Sequence, residues 1–331
     1  MPDPKAEPPA VDASEDPSPV AGQPAWRRNA SRALMLVVLV ALVWAVAKNR
    51  ASFSSTLVRV GPTGIALSAA AAVLGVLCNG LMWHSVMGGV GITLRRSDAL
   101  RVFFVSQLGK YLPGSVWPIV LQMEAARERG ASRRTMLAGN LINLAIGLAT
   151  GLVLAAATLP FASPDALRRY WWALAAAPLV VVVALPKTLP ALLDRVLRML
   201  HREPLGVTLD PGAALRSAGW SLLSWVFLGL HLTVLVAYAG ATPSVGLVLL
   251  CVGGVGLAVT AGVLFIPSPA GAGIREVALG FILGAVLGSG AVVVVVVASR
   301  VLLILVDAVL AGAAALVGGL RARHRRLQES L

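Results

Sequence analysis

Apolar runs of 15 to 30 residues, separated by short polar stretches, recur along nearly the whole chain. They predict membrane-crossing helices near 33–47, 65–87, 135–160, 170–186, 217–239 and 244–266, a short one near 274–288, and a last one near 291–319. A helix needs about 20 apolar residues to cross a hydrocarbon core of about 30 Å, and the runs bracket that length. Val292 to Val297 is β-branched, but its setting between membrane flanks favours helix. The ten-residue alternating strands of a membrane barrel are absent. The expected fold is all-α: a polytopic membrane helical bundle of about eight transmembrane helices.

Two places interrupt this pattern. Gly109 to Trp117 carries Pro113 and Gly114, and Phe265 to Glu276 carries Pro267, Pro269, Gly271 and Gly273. Irregular backbone at membrane depth survives only where protein or water, not lipid, surrounds it. Paired interruptions in one chain point to a polar site inside the bilayer. We therefore expect two Pro/Gly-broken hairpins, either of which can be re-entrant. Asp98 to Leu108 and Val116 to Arg129 read as the arms of the first, dipping into the inner leaflet. Leu189 to Leu200 places leucines and Val196 at helical spacing beside Arg195 and Arg198. It reads as an amphipathic helix lying on the cytoplasmic face.

Composition agrees with a membrane protein. Apolar residues make up 57% and charged residues 13%, with mean hydropathy +0.82; a soluble domain has roughly a quarter of its residues charged. The net charge of +13 fits a membrane protein meeting anionic lipid better than nucleic-acid binding, because the basic residues lie in loops and membrane flanks. Residues 1–25 hold seven prolines and five acids and read as a disordered cytoplasmic tail. Residues 26–320 form the transmembrane domain, and 321–331 form a basic cytoplasmic tail. The first span reads as a retained anchor in a multi-pass protein of the plasma membrane.

Cys78 and Cys251 fall in apolar segments and read as buried hydrophobes. His84, His201, His231 and His324 show no ligand spacing, so no metal site is expected. No P-loop, catalytic triad motif or other cofactor signature appears. The candidate chemistry lies in charges at membrane depth. Asp307 follows Arg300 by seven residues on roughly the same helix face. They are about 10 Å apart along the axis, too far for a direct bond. Each therefore needs another partner, and Arg275 and Glu276 are the candidates. The glycines before Ile274 expose N–H groups at a helix start, which with Arg275 suits a phosphate or carboxylate. Lys110 and Tyr111 sit at the first break, where either a site or ordinary interfacial anchoring explains them. Trp83, Trp117, Trp171 and Trp172 read as interfacial belt residues. Asn140 and Asn143 suit a headgroup or helix glue equally.

These residues resemble a known family. Leu108 to Trp117, Arg127-Glu-Arg-Gly130, Pro269-Ala-Gly-Ala-Gly-Ile-Arg-Glu276 and Ser299-Arg300 are similar to motifs of the transmembrane region of lysylphosphatidylglycerol synthase, the flippase-like integral membrane proteins. The resemblance covers roughly residues 30–320. It differs in having Ala270-Gly271 where the family often has Gly-Gly, and Asn140 and Asn143 where some members carry charges. In bifunctional members this region translocates an aminoacylated lipid that a separate soluble domain makes. No such domain is expected after Leu320, so synthase activity is not implied.

The expected function is translocation or binding of an anionic phospholipid or lipid-linked glycan between leaflets. The expected substrate-binding residues are Lys110, Tyr111, Asn143, Arg275, Glu276, Arg300 and Asp307. The alternatives are a non-catalytic scaffold for cytoplasmic envelope-lipid enzymes and, less favoured, a membrane glycosyltransferase, whose outer loops would need more acid than Asp165.

Eight spans with both ends cytoplasmic place 22 basic residues inside and 5 in outer loops, the asymmetry that fixes orientation. A cysteine at position 325, in a chain lacking Cys78 and Cys251, should resist an impermeant thiol reagent in intact cells. Labelling from outside would defeat the eight-span arrangement and make 274–288 a re-entrant loop.

Overall fold

The computed structural model describes residues 50–111, 117–127, 132–165, 187–199, 206–264 and 273–329, with isolated positions elsewhere. The expected spans at 33–47 and over most of 170–186, the tail 1–25, and the break residues Pro113, Gly114, Pro267, Pro269 and Gly271 lie outside it. Among the described residues the structure is helical without strands. The helices are α1 (Arg50–Gly89), α2 (Arg96–Gln107), α3 (Trp117–Arg127), α4 (Arg133–Thr158), α5 (Thr188–Met199), α6 (Pro211–Tyr238), α7 (Val245–Leu264), α8 (Ile274–Leu283) and α9 (Ser289–Glu329). Five of them, α1, α4, α6, α7 and α9, are long and apolar enough to cross a membrane.

The helix ends sort onto two faces. One gathers the end of α1 and the start of α6, joined where the Asp210 N–H donates to the Gly89 carbonyl at 3.1 Å. Near it Arg134 pairs with Glu203 at 3.0 Å. The other gathers Ala162, Thr242 and Ala285 around a cleft of about 300 Å³. Antiparallel packing joins the faces. Gly64 meets Tyr238 and Gly89 meets Ala213, so α1 and α6 run alongside each other through the bundle. The core has two halves, one built on Trp83, Met87, Phe103 and Met136, the other on Leu232, Val236, Cys251 and Val295.

Small residues set the helix separations. A side chain on Gly229 would come within 2.5 Å of the Val252 Cα, and one on Gly256 within 2.7 Å of the Gly151 carbonyl. Without a hydrophobic drive between helices in lipid, such close backbone approach supplies much of the packing attraction. In α1 the chain kinks at Gly61, whose φ of 58° and ψ of 178° precede Pro62. Glycine takes that backbone without strain, and proline cannot donate into the preceding turn.

Two elements stop short of a full crossing. α2, the 3-10 turn Leu108–Tyr111 and α3 form a hairpin that enters from the arginine-rich face. Arg101 lies against Gly318 of α9, while Lys110 reaches Asp307. The hairpin tip is thus about 16 Å further along α9, near mid-depth. α8 has ten residues, about 15 Å and half of a membrane core. The expected short span at 274–288 is therefore corrected to a half-length helix, ending beside the start of α7. α9 continues as helix to Glu329, through most of the segment expected as a basic tail. The amphipathic segment folds as expected into α5, which tucks in Leu189 and leaves Leu192, Val196 and Met199 exposed.

Replacing Gly229 by Ala should cost about 1–3 kcal/mol, because a backbone must move. Gly219, with open space around it, should accept Ala. Equal thermal unfolding of the two variants in detergent would contradict this packing.

Candidate functional site: a charged cluster where the broken segments meet

The site is assembled from the hairpin tip, the start of α8 and the middle of α9. Asp307 is 3% exposed on α9. Its Oδ2 accepts from Lys110 Nζ at 2.6 Å and from the Tyr111 hydroxyl at 2.5 Å. The 3-10 turn makes this possible: it places consecutive residues at the tip, and both bond one carboxylate oxygen. Two turns earlier on α9, Arg300 approaches Glu276 Oε1 at 3.7 Å. The other oxygen of Glu276 accepts the Gly273 N–H at 2.7 Å. This is the carboxylate half of a capping box at the start of α8, with Gly273 at a φ of 89°.

Arg275 completes the cluster. It lies within electrostatic range of Arg300, Glu276, Tyr111 and Asp307, yet makes no hydrogen bond or ion pair with a described residue. The five charged groups comprise three cations, Lys110, Arg275 and Arg300, and two carboxylates, Glu276 and Asp307. The surplus is one positive charge, carried by the guanidinium without a carboxylate of its own. Lys110 keeps a third of its side-chain surface open, and Arg300 about a quarter. Both cations are therefore only partly enclosed by the protein.

Several expectations change here. Asp307 takes Lys110 and Tyr111 as partners instead of Arg275, so the tip residues face inward and do not snorkel to the interface. The N–H of Gly273 is occupied by Glu276 and is not free for an anion. Asn143 Oδ1 is buried and has no hydrogen-bond partner among the described residues. Asn140 is helix glue: its Oδ1 accepts from Trp83 Nε1 at 3.1 Å. Trp83, expected in the interfacial belt, is fully buried, because that bond satisfies its one polar atom inside the core.

The chain's spacing gave no sign of His231, which is almost wholly buried on α6. Its Nδ1 lies 3.1 Å from the Ser68 carbonyl and 2.7 Å from the Ser68 hydroxyl. A carbonyl only accepts, so Nδ1 carries the hydrogen. Nε2 then accepts from the Ser299 hydroxyl at 2.9 Å. The imidazole thereby ties α1 and α6 to the residue preceding Arg300. The only sequence signal was the cost of an ionisable residue in an apolar span.

Two broken segments meeting at a mid-depth charge cluster define a class: polytopic helical membrane proteins with a polar site inside the bundle. The chain matches the family described as lysylphosphatidylglycerol synthase TM region over residues 33–327, and it belongs to that family of lipid-related membrane proteins. No curated protein matches the chain significantly.

Removing one partner of a buried ion pair costs roughly 3–5 kcal/mol. Asp307→Ala should therefore unfold at lower temperature than Lys110→Met/Asp307→Leu, in which neither charge remains. Equal destabilisation of the single and double variants would show that the pair is exposed.

Proposed function

We propose that this chain binds the anionic headgroup of a phospholipid or lipid-linked glycan at the charged cluster and passes it between leaflets. The observation that carries the reading is Arg275, a guanidinium at mid-depth with no carboxylate partner among the described residues. An uncompensated charge is costly there unless it faces water or a counter-ion. Its planar fork matches a phosphate. Arg300 and Lys110 lie close enough to add charge, while Glu276 and Asp307 hold those two cations in place when no lipid is bound.

The arrangement also supports a route. The hairpin reaches the cluster from one face, and α8 leaves it toward the other. Exchange of the Lys110–Asp307 and Arg300–Glu276 contacts for a headgroup opens the cluster to either side. Both termini then lie in the cytoplasm, and the arginine-rich face meets the inner leaflet. Catalysis is not part of this reading: the cluster holds and releases a charge without a nucleophile. Energy comes from a gradient or a partner, which the basic inner face suits through cytoplasmic envelope-lipid enzymes.

The test is retention of anionic lipid by protein purified in native nanodiscs. Arg275→Lys keeps the charge but loses the fork; it should reduce retained anionic lipid while the protein still folds, and Arg275→Gln should reduce it further. Retention unchanged in a folded Arg275→Gln protein would defeat the reading.

A further inference from the structure

Below the cluster, α2 and α9 do not close against each other. A groove of about 260 Å³ follows their seam, lined by Leu100, Phe104, Leu310, Ala314 and Gly318, with Ser97, Asp98 and Arg101 toward its outer end. It exists because α9 presents small residues where α2 presents large ones. The Arg101 side chain lies across Gly318, whose added Cβ would sit 2.6 Å from its guanidinium carbon. Arg101 makes no hydrogen bond or ion pair with a described residue. Arg95 and Arg96, both exposed, begin the same helix. At the mouth Arg101 stands with one carboxylate, Asp98, while Arg95 and Arg96 lie at the start of α2 outside the groove's lining. Val317 and Leu316 beside the groove are exposed, as lipid-facing residues are.

An apolar trough ending beside an unpaired arginine at the membrane face has the polarity of a phospholipid standing in its leaflet. The same seam leads to Lys110 and Asp307, eleven residues further up α9 than Gly318 and about 16 Å away. We propose that the seam is a loading site for an anionic glycerophospholipid of the leaflet on the arginine-rich face. One acyl chain lies along Phe104, Leu310 and Ala314, and the phosphate sits on Arg101. From there the headgroup climbs between α2 and α9 to the cluster. The proposal deepens the function above and rests on it for the onward step, but occupancy of the groove stands by itself.

The experiment reconstitutes the full chain in liposomes containing phosphatidylglycerol that carries a diazirine on one acyl chain. Cross-linked peptides are mapped by mass spectrometry, and leaflet-to-leaflet transfer of the same lipid is measured alongside. In the unmodified chain, labelling should concentrate on 97–104 and 310–318, above that on the lipid-facing residues around Leu215 and Leu223. Ala314→Trp should fill the groove and abolish the excess. Arg101→Gln should remove the preference for phosphatidylglycerol over phosphatidylcholine by about tenfold, the value of one charge-assisted contact. Both variants should slow transfer. Arg275→Gln should leave seam labelling intact while stopping transfer. Even labelling of all lipid-facing helices, or excess labelling that survives Ala314→Trp, overturns the loading site. Specific seam labelling without transfer in the unmodified chain supports the loading site and counts against translocation alone.

Discussion

Asp307 is the constraint on which the rest of the bundle turns. A carboxylate 3% exposed, within an apolar stretch from Val301 to Val317 where it is the one charged residue, cannot face hydrocarbon without a large cost. It must be met by a cation delivered from elsewhere in the chain. That requirement brings the hairpin in from the arginine-rich face and sets its length, because Lys110 and Tyr111 must arrive at the depth of Asp307. It also explains why the tip is a 3-10 turn: two successive donors serve one oxygen. Continuous helix could not end in that geometry at mid-depth with its last carbonyls unpartnered.

The second constraint answers the first from the opposite side. Glu276 caps α8 and holds Arg300, so the start of the half-helix and the middle of α9 are fixed to each other. His231 holds the neighbouring Ser299 to α1 and α6, the longest-packed pair in the bundle. Arg275, Glu276, Arg300 and Asp307 are therefore positioned by α8 and α9, and Lys110 and Tyr111 by the 3-10 turn that follows α2.

Much of the fold was legible because membrane insertion imposes a simple code. Length and hydropathy located α4, α6, α7 and α9. The half-length of α8 was not legible, since Val277 to Leu287 is apolar throughout and hydropathy does not record where helix begins. Of the site, the charged residues stood out because charge is rare in these segments. Their pairing did not. Sequence separation suggested Arg275 for Asp307, but 196 residues separate Tyr111 from Asp307, and only the tertiary hairpin joins them. Trp83 misled for a related reason: a tryptophan in an apolar span fits an interface or a satisfied core equally until Asn140 is placed beside it.

The account depends on an anion meeting Arg275 while Lys110 and Tyr111 stay on Asp307. Cryo-electron microscopy of the protein in nanodiscs rich in phosphatidylglycerol tests this most directly. The account predicts headgroup density against the Arg275 guanidinium at mid-depth, with Lys110 and Tyr111 within hydrogen-bonding distance of Asp307. A map in which Arg275 pairs with a protein carboxylate and the cluster holds no lipid density, or in which Asp307 turns away from the hairpin tip, would contradict it.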